Sequence, residues 1–457
     1  MKKSAKIRLE YESPEHRRLP HVVKFSGGRS SGLLLMALLE QGRLDAERGD
    51  VVVFNNTTAE HPATYEFVRR CTEECEVKYG IPFLWTEYAT YEDCSNGIWR
   101  RQVSYRLAKP TPYNRASNPF GYRFSGEVFE EMISQQGFLP SRHSRSCTSL
   151  LKLGVTVDFL SEWFAAKGET LRLGHHYPDS KLDDDDLHRA HRAAGGKFER
   201  DVFLKRKEYV RSRSLFRPAQ RYCDYSHIGS APMMAARGDA RSPWDFKPMR
   251  GESAVEFVSL IGLRADEPRR VARVKERNEL DRDSSERRST GLCDGEMICT
   301  PLADSGIGKE EVKAFWEKRD FDLRLPSDAN LSNCVYCFMK GTNTLQKIIA
   351  NRRNIDDGLP EDIRSIDRTP SDINWWVDIE EKYKRVVDKR DSGRGRSSPK
   401  QVAIGFWGTE TLSDKPTEQP AEKISIIDYR SLRARSLSHA SEEVTEGYEA
   451  MPCDCTE

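Results

Sequence analysis

The sequence predicts an α/β fold, an open and mostly parallel sheet with flanking helices, and three observations predict it. A short β-branched run, His21 to Phe25, is followed by Ser26-Gly27-Gly28 and then by the helix formers Leu33 to Glu40, which reads as strand, glycine turn and helix. Asp50 to Phe54 is a second apolar run with no polar break, as a strand buried on both faces of a parallel sheet requires. Pro62 to Tyr79 then reads as a helix with proline in its first turn. Alternation of strand and helix points to a sheet with helices on its faces.

The later elements follow from the same patterns. Ile81 to Thr86 reads as a third strand, and Ser149 to Lys167 as a helix whose apolar set is Leu150, Leu151, Leu153, Val157, Leu160 and Phe164. Asp179 to Pro248 is rich in Asp, Arg and Lys without a regular apolar pattern and reads as an insertion; its acidic run Asp183 to Asp186 reads as a solvated loop. Val255 to Leu263 is the best later strand. Residues 307 to 325 suit a helix and its exit, and Thr344 to Arg352 and Ile373 to Val386 suit two more helices. Beyond Asp388 the chain turns polar, with Gln401 to Trp407 as its apolar interruption. The organisation expected is an N-terminal extension (1–19), one domain (20–384) and a loosely ordered, flexible tail (385–457). Within the domain, the insertion covers about 179–248 and a cysteine-containing subdomain about 290–384.

With 457 residues the chain exceeds what one ordinary core organises, so a domain with insertions, or two domains, is expected. Its apolar stretch Leu33 to Leu39 is far shorter than the roughly 20 residues of a membrane span. Met1 to Arg18 lacks the apolar centre of an export signal. A cytoplasmic protein with no membrane partner is therefore expected. The formal net charge of +1 neither favours nor excludes nucleic acid. The basic stretch Lys382 to Lys400, with Lys384, Arg385, Lys389, Arg390, Arg394 and Arg396, has the charge to touch phosphates but reads first as a linker. Eleven cysteines, an odd number, do not read as a disulfide framework.

The sharpest local feature is Lys24-Phe25-Ser26-Gly27-Gly28-Arg29-Ser30-Ser31-Gly32, between the first strand and the first helix. Paired glycines let the backbone turn so that its N–H groups, with those of the helix N-terminus, converge on an anion. Ser26, Ser30 and Ser31 add hydroxyl donors, and Arg29 is available to pair with phosphate. The second strand ends in Asn55-Asn56-Thr57-Thr58-Ala59-Glu60-His61-Pro62-Ala63-Thr64. Short polar side chains there, beside the phosphate loop, are placed to hold a ribose or a base edge, and Asn56, Thr57 and Thr58 are the candidates. Glu60 and His61 read as helix N-terminal residues rather than as an acid–base pair. The strand at Val255 to Leu263 leads into Gly262-Leu263-Arg264-Ala265-Asp266-Glu267-Pro268-Arg269-Arg270.

Among the cysteines, Cys334-Val335-Tyr336-Cys337 is a CxxC whose thiolates can reach one metal, though a pair supplies half a tetrahedral site. Cys147, in Arg145-Ser146-Cys147-Thr148-Ser149-Leu150-Leu151-Lys152, is the candidate third member. Cys299, Cys293 or Cys223 would be a fourth. An iron–sulfur cluster, zinc, a redox CxxC and reduced core cysteines all stand as readings. Cys71, Cys75 and Cys94 look structural.

These segments together resemble the PP-loop superfamily of Rossmann-like nucleotide-binding proteins, whose loop pattern is Ser-Gly-Gly-x-Asp-Ser, and within it the phosphoadenosine-phosphosulfate (PAPS) reductases. Ser30 stands where the PP-loop pattern has Asp, which weakens Mg²⁺-assisted cleavage of ATP more than nucleotide binding. At the second strand Thr57, Pro62 and Thr64 match the reductase pattern, whereas Asn56 and Thr58 depart from its Asp and Gly. The stretches Pro301 to Gly306, Phe315-Trp316, Phe321 to Pro326 and Asn333-Cys334 look like a phage and bacterial subgroup, so the resemblance spans about 20 to 385.

The resemblance implies an adenine nucleotide, ATP or PAPS, as ligand, with Mg²⁺ as its companion ion, and assigns Arg264 to the phosphate or sulfate. It also implies that Cys147, Cys334 and Cys337 hold a [4Fe–4S] cluster with one open iron, with Lys152 at the position of the family's lysine. Cys147, Lys152 and Arg264 are thus the expected catalytic residues of a sulfonucleotide-reductase-like enzyme served by a sulfur or electron donor protein. The alternatives are ATP-dependent sulfur transfer to nucleic acid and a non-catalytic nucleotide-binding module. The Glu-Cys-Gly-Leu-His segment of thioredoxin-dependent reductases is not found; Cys453 and Cys455 sit in an unrelated context.

Overall fold

The computed structural model describes residues 7–10, 16–93, 100–165 apart from 115, 119, 137 and 143, 256–283, 296–389 apart from 327 and 328, 400–411 and 428–437. The expected insertion, with its acidic run, lies outside the described residues, as do Cys94, Cys223, Cys293, Cys453, Cys455 and residues 390–399.

The first strand, β1 (His21–Phe25), is buried along its whole length. It stands between β2 (Val51–Asn56) and β6 (Phe257–Ile261), parallel to both, with Val22 opposite Val51 and Val23 opposite Leu260. Beyond β2 lies parallel β3 (Phe83–Asp93), and beyond β6 lies parallel β7 (Glu296–Cys299). The long strand β4 (Arg100–Pro112) runs antiparallel to β3, and the short β5 (Gly121–Tyr122) pairs parallel with β4. The sheet is therefore mostly parallel, in the order β5-β4-β3-β2-β1-β6-β7. From β1 the chain builds outward to β3 on one side and later to β7 on the other. Such a reversal leaves a crevice at the carboxyl ends of the two strands flanking it, here β1 and β6.

Helices cover the sheet. In α1 (Arg29–Glu40) every residue from Ser31 to Leu39 is buried, which a helix apolar all round requires. The next, α2 (Pro62–Glu73), begins with Pro62 in its first turn and passes into a π-helical turn, Glu74–Lys78. Its Phe67 meets Phe25 and Trp316, tying the front of the sheet to the later chain. A short turn, Ser146–Thr148, leads through π-helical residues Ser149–Gly154 into α4 (Val155–Ala165), after α3 (Glu127–Gln136). Then come α5 (Pro268–Asp283), α6 (Lys309–Trp316), α7 (Thr342–Asp357) and α8 (Ile373–Tyr383). Among the described residues, no helix is long and apolar enough to cross a membrane.

The tail expected to be loose is in part built into the fold. Arg385–Lys389 (β8), Lys400–Gly405 (β9) and Gly408–Thr411 (β10) form a three-stranded antiparallel sheet, and Tyr429–Leu437 forms a last helix, α9. Phe406, Trp407, Tyr429 and Leu432 are buried in the main core. A few aromatic anchors in a polar stretch suffice to dock it, and such anchors leave no periodic signal.

At this junction the Glu380 carboxylate accepts the N–H of Tyr429 at 2.7 Å. Burial pushes that carboxyl up from 4.5 to about 7. Since the folded value lies above the unfolded one, ionisation opposes folding. The penalty is absent below 4.5 and grows until the pH passes about 7. Glu380→Gln, which keeps an acceptor and cannot ionise, is expected to gain stability over the parent between about pH 4 and pH 8, by at most about 3 kcal/mol. Urea midpoints at the two pH values read it, and a difference that does not change with pH contradicts it.

Candidate functional site

A cavity of about 460 Å³ opens where β1 and β6 end, within the usual size range of small-molecule sites. Ser26, Gly28, Arg29 and Ser30 form its floor. Gly27 turns the chain at φ +80°, and a Cβ there would lie 2.8 Å from the Thr64 methyl, so conformation and space both require glycine. Gly28 caps α1 without a side chain, and the first helical bond runs from the Gly32 N–H to the Gly28 carbonyl at 2.9 Å. The amides of Arg29, Ser30 and Ser31 therefore precede the helix ladder, and the helix N-terminus gives the cavity floor anion-binding character.

The exit of β6 presses against this turn. A Cβ on Gly262 would sit 2.9 Å from both the N and Cα of Ser31, backbone against backbone. Two residues on, Arg264 donates from Nη1 to Ser30 Oγ at 3.1 Å while its Nε holds Asp266 at 2.8 Å. Ser26 Oγ donates to Ser31 Oγ at 3.1 Å, which donates to the Gly28 carbonyl at 2.9 Å. Arg270, Lys309 and Lys313 add cationic side chains to the lining, with Glu267 and Glu317 as acidic partners. Arg264 thus lies beside the Ser26–Ser30 turn.

Arg29 does something other than what its sequence position suggests. Its Nε and Nη2 grip both oxygens of Asp322 at 2.7 and 2.6 Å, and Nη2 also donates to the Leu325 carbonyl. Trp316 donates to the Arg29 carbonyl at 2.8 Å. The guanidinium is a strut that holds the part of the cavity wall formed by residues 322–326 against α1.

Asn56, Thr57 and Thr58 are buried and are not among the cavity-lining residues. The Asn56 amide donates to Glu87 at 2.8 Å and to the Arg123 carbonyl at 2.7 Å, and its oxygen accepts the Thr58 N–H. That bond fixes Thr58 at φ 61°. Thr57 faces the cysteines: its hydroxyl donates to Glu60 at 2.7 Å and lies 3.5 Å from Cys334 Sγ. In the structure all three are engaged in internal hydrogen bonds.

Behind the cavity wall the fold gathers Cys147, Cys334, Cys337 and Lys152 from distant parts of the chain. Lys152 opposes the upward shift of all three thiols, and the Cys337 sulfur adds to that of the other two. Burial dominates, pushing the Cys147 thiol up to about 12 and raising Cys334 and Cys337 too. As free thiols they are protonated at neutral pH. Glu60 completes this neighbourhood. Burial raises its carboxyl, opposed by Lys152 and by hydrogen bonds from Thr57 and Tyr65. From sequence Glu60 reads as a helix-terminal residue, and the signal for its role was Thr57 three positions earlier. His61 is the N-cap of α2, with Nδ1 accepting the Ala63 N–H at 3.1 Å, and burial lowers its imidazole to about 4.

Among the described residues, no group of three or more His, Cys, Asp or Glu side chains converges to hold a metal ion. The three thiols are neighbours but not a closed ligand set. Cys299 ends β7 and packs against the main core, and Cys71 and Cys75 are buried in and just after α2.

The loop between wall and thiols is irregular, with Asn330 at φ 54° and Asn333 at φ 60°. Lys340 closes it from behind, donating from Nζ to the carbonyls of Asn330, Ser332 and Val335 at 2.6, 3.2 and 3.0 Å.

No protein-family model matches the sequence. The chain is 24% identical over 328 residues to an "Uncharacterized nin region protein ORF290" of Escherichia phage lambda, a match covering 71% of this chain and 68% of that protein. No solved structure matches.

Proposed function

We propose that this chain is a PAPS-reductase-like enzyme that binds an adenine nucleotide, ATP or a sulfonucleotide, in the cavity at the ends of β1 and β6. One observation carries the reading. The open amides at the start of α1 and the Arg264 guanidinium on Ser30 face the same cavity, at the strand reversal where α/β sheets take ligands. Two of its walls meet chemistry of different kinds: cations on the α5 and α6 side, and on the other a loop that runs into Cys334.

Within this reading, sulfonucleotide chemistry is favoured over ATP cleavage. The PP-loop pattern has an acidic residue at position 30, where a carboxylate would serve a Mg²⁺ ion. Here a serine hydroxyl accepts from Arg264 instead, which suits an anion held by hydrogen bonds and charge. Reduction of a sulfonucleotide to sulfite takes two electrons, the number two thiols release in forming a disulfide, and a donor protein would restore them. Cys334 and Cys337 are the pair proposed for that role. The same thiols with Cys147 would be the anchors of a [4Fe–4S] cluster or zinc, and no step is assigned to either, because the described side chains do not close around an ion. ATP-dependent sulfur transfer to nucleic acid is the second reading, favoured if the protein consumes ATP.

Calorimetry with ATP, adenylyl sulfate and PAPS, followed by a sulfite-release assay under reducing, anaerobic conditions, tests the proposal. Binding of a sulfonucleotide is expected to weaken about tenfold in Arg264→Met, equivalent to about 1.4 kcal/mol. Iron, sulfide and zinc analysis of the same preparation distinguishes thiols from a cluster. No binding of any adenine nucleotide at millimolar concentration overturns the reading.

A further inference from the structure

We infer that Lys340 is a positioning residue that couples the nucleotide cavity to the Cys334 thiol, an inference that rests on the proposed nucleotide site. The loop it holds has two faces. Asn330, Ser332 and Asn333 line the cavity, and Cys334, the next residue, turns inward to Thr57 at 3.5 Å. The loop has neither helix nor strand bonds to satisfy its carbonyls, and its Asn330 and Asn333 occupy left-handed backbone, which asparagine tolerates and which turns the chain sharply at both positions.

Lys340 holds this loop. An ammonium has three N–H donors, and three carbonyls of this one loop accept them. The lysine is itself held by the fold, one residue before Gly341, which caps the sixteen-residue helix α7. On the far side of the loop, the Val335 N–H donates to the Ala59 carbonyl at 3.0 Å, fixing it to the end of β2. A ligand that moves the backbone at Asn330 or Ser332 therefore moves carbonyls gripped by Lys340, and with them the attachment of Cys334.

The test uses the full-length protein and compares Lys340→Met, which keeps the aliphatic stem, with Lys340→Arg, which keeps charge and donors. The readouts are ATP affinity by calorimetry and the rate of iodoacetamide labelling at Cys334, assigned by peptide mass spectrometry, with and without ATP. In the parent, ATP is expected to change the labelling rate. In Lys340→Met, labelling without nucleotide is expected to rise about tenfold, affinity to fall about tenfold, and the rate to become indifferent to ATP. Lys340→Arg should restore part of each effect, which a general loss of stability would not produce. Should Lys340→Met fail to fold, Lys340→Gln, with one donor pair, carries the same comparison. Labelling rates equal to the parent's in a folded variant overturn the inference. If the parent binds no adenine nucleotide, the nucleotide reading fails by itself, and the nucleotide-free labelling rates still decide whether Lys340 positions Cys334.

Discussion

Gly262→Val is expected to weaken binding at the proposed nucleotide site at least about a hundredfold, roughly 2.7 kcal/mol, while the sheet remains folded. Gly262 is not needed for an unusual turn, since its backbone is not left-handed. It is needed for space: an added Cβ would stand 2.9 Å from the Ser31 N and Cα and 3.2 Å from the Ser30 carbonyl carbon. Those atoms belong to the first turn of α1, whose residues from Gly32 to Leu39 are locked in the core and cannot retreat. The β6 exit must move instead, carrying Arg264 away from Ser30 and opening the floor on which a phosphate would rest. Circular dichroism checks that the fold survives, and calorimetry with ATP or PAPS reads the loss. Binding as tight as the parent's would mean that the apposition of α1 and the β6 exit is not where the nucleotide is held. Gly27 makes a contrast, because its φ of +80° and its contact with Thr64 both forbid a side chain. Substitution there damages the turn itself and tests the fold as much as the site.

How legible the molecule was in its sequence depended on whether a feature was local. The parallel strands at 21, 51, 83 and 257 are apolar runs beside glycine or proline, and each is visible as such. The strand β4 is not legible: Arg100 to Pro112 carries three arginines, a lysine and two prolines, and it is placed by its long pairing with β3, where Tyr105, Leu107 and Ala108 are buried and Arg106 meets Glu87. The Ser-Gly-Gly turn was legible because its glycines answer to a backbone requirement. The role of Arg29 was not, because its partner Asp322 lies 293 residues away. A separation of 277 residues hid the use made of Thr57 and Glu60, whose neighbour Cys334 comes from the far end of the domain. Asn56 reads in the sequence as a polar residue at a strand end, and its hydrogen bond to a buried charge cluster, Glu87 with Arg106 and Arg123, is not visible there because those partners are remote in the chain.

Trp376→Ala is expected to cost about 3–5 kcal/mol of stability, the range for removing a large aromatic from a packed core. The side chain is 1% exposed. Its ring meets Phe129 at 5.4 Å, Trp375 at 5.1 Å, Phe406 at 5.6 Å and Tyr429 at 5.4 Å. Its Nε1 donates to the Pro370 carbonyl at 2.9 Å, an acceptor that alanine would strand. Two of these four partners come from the tail, so the indole is where residues 406 and 429 attach to the domain. The loss should therefore appear both as a lower denaturation midpoint and as earlier protease cleavage within 428–437. It should also reach the thiols, because Tyr429 donates its hydroxyl to the Tyr336 carbonyl at 2.5 Å, between Cys334 and Cys337. Iodoacetamide labelling of Cys337 is expected to accelerate in Trp376→Ala and to stay near the parent rate in Trp376→Phe, which keeps a ring for Tyr429 to pack on. A stability loss below about 0.5 kcal/mol, the level of an ordinary surface substitution, would show that the tail docks without this indole. Unchanged labelling with a large stability loss would instead separate the tail from the shielding of the cysteines.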